Sequence, residues 1–170
     1  MNRSTLATGL AACLMLAGCR HANPSTGNDT EAALDPPEVA APKRGAGQAL
    51  AGVAMEDVQP ETMSLADLDS LGGIKDRCVF RLAADGWPSF VYGGAQTGGV
   101  LKLNQTLITL PDRDPNAFAD GGLQVTLRPL SKDASNDTQQ PADLIIHLPH
   151  TAQELGFQGF SECHGQATRG

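Results

Sequence analysis

The chain has 170 residues, a formal net charge of −7 at pH 7, and only 4% aromatic residues. Its acidic surplus argues against nucleic-acid binding and against a basic helix on a membrane surface, because both need clusters of Lys and Arg. A chain of this length with few aromatic side chains can build one modest hydrophobic core. We therefore expect a single small folded domain.

The N-terminus has the parts of a secretory signal. Arg3 gives a weakly positive start, and the apolar run that follows, residues 6–16, is shorter than the ~20 residues that span a bilayer. The run ends in Leu16-Ala17-Gly18-Cys19, which resembles the lipobox of bacterial lipoproteins. A plain secretory signal followed by a chance cysteine is the alternative.

The lipobox resemblance implies that residues 1–18 are removed as a signal peptide and that a diacylglyceryl group is attached to the sulfur of Cys19. Two or more acyl chains hold a protein stably on a membrane. The resemblance therefore implies a periplasm-facing protein of the cell envelope that contacts the membrane through the lipid on Cys19. Arg20 follows the cysteine where an Asp would signal retention, which favours the outer membrane.

Two of the four cysteines remain once Cys13 leaves with the signal and Cys19 carries lipid. An even pair in an oxidising compartment predicts a disulfide between Cys78 and Cys163. Such a bridge would close a loop of most of the domain and stabilise it by about 4 to 5 kcal/mol. Two free thiols serving metal or redox chemistry are the alternative, although no Cys-x-x-Cys spacing supports them.

Residues 19–63 lack aromatic side chains and are rich in Ala, Pro and Gly, which predicts a disordered, lipid-anchored linker. The folded domain is expected to cover residues 64–170. Ser64 and Asp67 form a potential capping box, leucines follow at a spacing of three, and Gly72-Gly73 can end the segment. This pattern predicts one short N-terminal helix.

From Cys78 onward the apolar residues alternate with polar ones, which is typical of half-buried strands. The pattern predicts two hairpins, followed by an alternating strand, a polar loop at 131–141, a second alternating strand and a final edge strand. The strand segments are Cys78–Leu82, Phe90–Tyr92, Val100–Leu103, Leu107–Leu110, Leu123–Leu127, Leu144–Leu148 and Phe157–Cys163. The fold class is therefore mainly β, a small antiparallel sandwich or partly open barrel.

Two segments, Cys78-Val79-Phe80-Arg81-Leu82 and Gly99-Val100-Leu101-Lys102-Leu103-Asn104, resemble uncharacterised proteobacterial lipoprotein domains. The resemblance covers residues 64–163 and implies no activity.

One group of side chains has the chemistry of metal ligands: His147, His150 and His164, with Cys163 beside them. Imidazoles with a thiolate suit zinc or copper. However, His147 falls on the strand face opposite the apolar residues, and Cys163 is claimed by the disulfide. We therefore expect surface histidines, and a periplasmic metal-binding protein is the alternative function.

Oxygen-bearing side chains at positions 1, 3, 5 and 9 of a calcium-type loop are Asp112, Asp114, Asn116 and Asp120. The template also requires Gly at position 6 and a bidentate Glu at position 12, where this chain has Ala117 and Leu123. A weak calcium site and an acidic connection between strands are both compatible with this pattern, and we prefer the connection.

No constellation of nucleophile, base and orienting group marks a catalytic site, and we expect no enzyme activity and no cofactor. The expected function is that of a cell-envelope lipoprotein whose β domain binds an envelope protein or ligand, or has a structural part.

Overall fold

The structure is a computed structural model that describes residues 37–94, 98–130 and 139–165, all within one compact unit, Pro37–Gly170. The predicted signal peptide, the lipobox and the first part of the predicted linker lie outside the described residues, as does most of the predicted polar loop. Within the described part, no helix is long and apolar enough to cross a membrane.

The described residues form two short α-helices, a 3₁₀ turn at Met55–Asp57, and ten strands. The helices are α1 (Ala46–Ala49) and α2 (Leu65–Ser70). The strands are β1 (Lys43–Arg44), β2 (Arg77–Arg81), β3 (Pro88–Tyr92), β4 (Gly99–Leu103), β5 (Thr106–Leu110), β6 (Asp112–Asp114), β7 (Ala117–Asp120), β8 (Leu123–Pro129), β9 (Gln140–His147) and β10 (Glu154–His164).

All ten strands belong to one curled sheet with the order β1-β5-β4-β3-β2-β10-β9-β8-β7-β6. Neighbouring strands are antiparallel, except that β1 runs parallel to β5. The architecture confirms the mainly β class, and of the two predicted arrangements, an antiparallel sandwich or a partly open barrel, it is consistent with the partly open barrel.

The predicted hairpins are confirmed. β2 pairs with β3, and β4 pairs with β5 across a two-residue turn, Asn104 and Gln105, whose φ angles are 46° and 58°. Two consecutive positive φ angles are typical of the type I′ turn, which matches the twist of the flanking strands. The alternating segments around Val125 and Ile146 are also strands, β8 and β9, and they pair with each other.

The position of β10 differs from the prediction of a final edge strand. It pairs with β9 through Glu154–Ser161 and with β2 through Phe160–His164, so it lies in the middle of the sheet. Its first half contains two glycines, Gly156 and Gly159, which weaken the apolar alternation. A strand pattern shows which residues face a core, but it does not show how many neighbours the strand has.

The predicted helix is confirmed as α2. The Ser64 side chain accepts a hydrogen bond from the Asp67 N–H, and the Asp67 carboxylate accepts one from the Ser64 N–H, so both halves of the capping box are present. The segment ends at Leu71, after which Gly72 has a φ of 79°. Glycine adopts this left-handed conformation without a steric penalty.

The sheet carries apolar residues on both faces. Phe80 belongs to the larger cluster and its neighbour Val79 to the smaller one, because successive residues of a strand point to opposite faces. The larger cluster draws on both halves of the sheet and fills the inside of the curl. The smaller cluster lies outside β2 to β5, where Met63 and Leu68 cover Val79, Val91, Val100 and Leu107.

The packed unit begins earlier than Ser64, so the predicted linker boundary is wrong for residues 37–63. β1 pairs with β5, Ala46 is fully buried in the inner cluster, and Val58 and Met63 are also buried. Helix α1 is a second helix where a disordered segment was expected. Few apolar side chains suffice here because each fills a place on a sheet that the rest of the chain supplies.

The carboxylate of Asp67 connects the segment before β1, helix α2 and strand β4. This carboxylate is almost completely buried and accepts hydrogen bonds from the Ala41 N–H at 2.6 Å, the Ser64 N–H at 2.9 Å and the Lys102 ammonium at 2.7 Å. Burial by itself would raise the pKa of Asp67, but Lys102 and the two backbone donors outweigh it and hold the pKa below 3.8.

Replacing this carboxylate should produce a stability loss that depends on pH. We expect Asp67→Asn to lower the free energy of unfolding by about 2 to 4 kcal/mol at pH 6, because Lys102 loses its counter-charge. Because the folded pKa is depressed, the contribution is fully present above the ordinary carboxylate pKa of about 4 and is lost progressively as the pH falls towards and through the lower folded pKa. Urea unfolding at pH 6 and pH 3 measures this.

The matched control is Asp69→Asn, which neutralises an exposed carboxylate on the same helix and should change little at either pH. A difference between wild type and Asp67→Asn that is equal at pH 6 and pH 3 would contradict the role assigned to the carboxylate charge.

Gly159 directly precedes Phe160, the residue of β10 at which the pairing with β2 begins. A Cβ at this position would meet the backbone oxygen of Arg81 and would lie 2.6 Å from the Phe80 ring, whereas a Cβ at Gly156 meets no atom within 4 Å. We expect Gly159→Ala to destabilise the fold by about 2 kcal/mol or more, since backbone must shift, and Gly156→Ala to have little effect. Thermal unfolding of the two variants measures this, and equal melting temperatures would refute the close approach.

Candidate functional site

Cys78 and Cys163 lie directly opposite each other on β2 and β10 and form a disulfide, as predicted. They are 85 residues apart in the chain, and Cys78 is buried. The bridge therefore fastens the first half of the described chain to its last strand.

Aromatic side chains lie close to the disulfide. Tyr92 lies opposite Cys78 on β3, stacks on Phe90 and meets the edge of Phe118. Its hydroxyl is 2.7 Å from the Ser161 hydroxyl on β10. Burial raises the pKa of Tyr92, partly offset by the bond to Ser161. The bridge thus lies next to aromatic side chains that pack in the inner core.

Loss of the bridge should matter only under oxidising conditions. We expect Cys163→Ser to lower stability by about 4 to 5 kcal/mol in oxidised protein, because the unfolded chain regains the freedom of a large loop. With reductant present, wild type and variant should unfold at nearly the same temperature. Equal destabilisation with and without reductant would instead assign the loss to packing around the sulfur.

The three candidate metal-ligating histidines do not come together. His147 faces Glu154, with 3.6 Å between Nε2 and Oε1, whereas His164 lies opposite Arg77 at the other end of β10. Ten residues of strand separate these positions, or about 33 Å. His150 lies in the turn after β9 with a φ of 64°. In the part of the chain that the structure describes, no three His, Cys, Asp or Glu side chains are placed to hold a metal ion.

The candidate calcium loop is a β-hairpin. Asp112 and Asp114 belong to β6, Asn116 occupies the turn with a φ of 65°, and Asp120 ends β7. Extended strands spread these side chains along the hairpin instead of wrapping them around one ion. Asp120 has a structural partner, since its Oδ2 accepts a hydrogen bond from the Ala46 N–H at 2.8 Å. The residues predicted to form an acidic connection between strands are themselves two paired strands, β6 and β7, joined by the turn at Asn116.

An apolar cavity of about 330 Å³ lies between the segment that follows β1 and the turn that joins β9 to β10. It is lined by Leu50, Val53, Val58, Leu148, Pro149, His150 and Thr151. Val58 and Leu148 are buried members of the inner core, and Leu50 and Val53 are partly buried against it. The cavity is therefore a surface opening onto the main hydrophobic core.

One wall of the cavity is held by the strap, which we define as residues 45–58. Asp120 fixes the first turn of α1, Leu50 caps the helix, and the Val53 N–H donates to the Leu50 carbonyl at 3.2 Å. The opposite wall is the turn after β9. The sequence pattern does not predict this cavity, because three of its aliphatic residues, Leu50, Val53 and Val58, lie in the predicted linker. The available signal was that these residues occur in a segment otherwise rich in Ala and Gly.

A second concavity of about 370 Å³ lies along β7 and β8. Ala117, Ala119, Gly121 and Gly122 supply much of its lining, with Arg113 and Asp114 exposed at its side. Half of its ten described lining residues are charged or polar, namely Arg113, Asp114, Asp120, Gln124 and Thr126, so the apolar cavity is the better candidate site.

These features define a small, mainly β domain with an internal disulfide and an apolar cavity at the mouth of its core. Residues 15–166 match the family described as "Domain of unknown function (DUF6692)", and the chain belongs to this family. Comparison with curated proteins and with solved structures found no significant match.

Proposed function

We propose that the chain is an exported, lipid-anchored cell-envelope protein whose β domain binds a ligand at the apolar cavity and does not act as a catalyst. The observation that carries the export is the bridge between Cys78 and Cys163. Disulfides persist in oxidising compartments and are rare where thiols are kept reduced. A pair brought together across 85 residues is part of the architecture, which favours folding outside the cytoplasm.

The anchor is supported by where the remaining cysteines lie. Both of them, Cys13 and Cys19, fall within the first nineteen residues, and Cys19 directly follows Leu16-Ala17-Gly18. The family match begins at residue 15 and so includes this motif. Because the packed unit begins at Pro37, residues 20–36 separate it from the lipid, and even fully extended they reach at most about 60 Å. The domain then stays close to the membrane, facing the periplasm, with Arg20 favouring the outer membrane.

Binding is favoured over catalysis by the lining of the cavity. Leu50, Val53, Val58 and Leu148 present aliphatic surface, and His150 and Thr151 add one imidazole and one hydroxyl. Ligand sites are typically apolar concavities with a few polar groups that fix orientation.

The anchor is tested by a pair of cysteine variants. We expect Cys19→Ser to lose incorporation of labelled palmitate and to move from the membrane to the soluble envelope fraction, because the thioether has no sulfur to form on. Cys13→Ser is the matched control, since that cysteine leaves with the signal, and it should remain acylated. Wild type recovered from the cytoplasm with residues 1–18 intact would overturn the proposal.

A further inference from the structure

We infer that the apolar cavity takes a single, uncharged aliphatic chain that ends in a hydrogen-bond acceptor. The inference rests on the binding part of the proposed function and names the ligand class of that site. It does not depend on the lipid at Cys19.

The lining excludes a charged ligand body. Among the residues that the structure describes, none that lines the cavity is Lys, Arg, Asp or Glu, and four of the seven are Leu or Val. A carboxylate or phosphate placed here would lose its hydration without gaining a counter-charge, which costs several kcal/mol. A sugar or other polyol would leave its hydroxyls unpaired against Leu50, Val53 and Val58 for the same reason.

Size and continuity favour one chain. A volume of about 330 Å³ is at the lower end of the range for small-molecule sites, too small for a lipid with two chains to enter fully. The inner surfaces of the cavity are Val58 and Leu148, which belong to the main core. An aliphatic chain against them extends the packing that Leu50 and Val53 already make, and removes further apolar surface from water.

The turn after β9 supplies the polar end of the site. The Thr151 oxygen accepts a hydrogen bond from the Gln153 N–H at 3.0 Å, which leaves the Thr151 hydroxyl hydrogen available to donate. His150, the preceding residue in the chain, is exposed and also lines the cavity. A hydroxyl, ester or ketone oxygen at the end of the chain can accept from this turn while the chain itself stays in the apolar part.

The test uses the full-length Cys19→Ser protein, purified without detergent, and isothermal titration with 1-octanol, 1-decanol and 1-dodecanol. We expect saturable binding that tightens about fourfold for each added methylene until the cavity is filled. Decanoate at pH 8 should bind at least tenfold more weakly than 1-decanol, because no described residue of the lining is a Lys or Arg that could pair with its charge. Tighter binding of decanoate, or no saturable binding of any alkanol, would overturn the inference.

Two variants locate the site. Val53→Phe fills the cavity and should weaken 1-decanol at least tenfold, whereas Val39→Phe, at an 85% exposed position of the same N-terminal segment, should not. Thr151→Val removes the donor and should weaken 1-decanol about fivefold, the value of one ordinary hydrogen bond. Equal affinity in wild type and both cavity variants would place the alkanol elsewhere and refute the site.

Phosphatidylcholine vesicles distinguish the source of the chain. If the protein cosediments with the vesicles and Val53→Phe abolishes this, the aliphatic chain belongs to a bilayer lipid. If the protein binds alkanols but does not cosediment, the aliphatic chain belongs to a free molecule. The outcome is separable from the anchor, which the palmitate experiment decides. If the protein is acylated at Cys19 but binds no alkanol, this inference is overturned and the proposed lipid anchor is not affected.

Discussion

The pairing of β2 with β10 is the contact on which the rest of the structure depends. Every other antiparallel neighbour pair in the sheet joins strands that follow each other along the chain, so β2 to β5 and β6 to β10 are two local meanders. Among the described strands, only β2 and β10 join one meander to the other through antiparallel hydrogen bonds, and the loop between them is long. Closing that loop costs chain entropy, which the disulfide lowers by restricting the unfolded chain. The inner core exists because the two meanders are joined and curl over the same side chains.

The candidate site depends on the same junction. One wall of the apolar cavity is the turn that leads into β10, so its place is set by the second meander. The other wall is the strap, which is attached to β5 of the first meander through β1 and to β7 of the second through Asp120. The cavity is therefore a product of the closed sheet. Asp67 has a comparable part on the outer face, where it connects Ala41, α2 and Lys102 around one buried carboxylate.

Local features of the fold could be predicted from the sequence because their signals are local. The Ser64–Asp67 capping box, the hairpin at Asn104 and the alternation of β8 and β9 each involve residues a few positions apart. The central place of β10 could not be predicted, because strand periodicity does not show which edges are paired. The order of residues 37–63 was missed since Ala46 and Val58 are buried by a sheet built elsewhere in the chain. The predicted histidine cluster is not formed for a related reason. Although His147 and His164 are near each other in the sequence, an extended strand places them far apart.

The late position of Cys163 has a consequence for how the protein is made. A chain that emerges from its N-terminus presents β2 long before β10, so the exposed edge of β2 and the thiol of Cys78 must wait until some eighty further residues have appeared. During that interval the first meander is a sheet with an unpaired strand, open to pairing with another molecule. The disulfide can form only after Cys163 has arrived, so any factor that shields the edge of β2 until β10 is present would raise the yield of correctly closed protein.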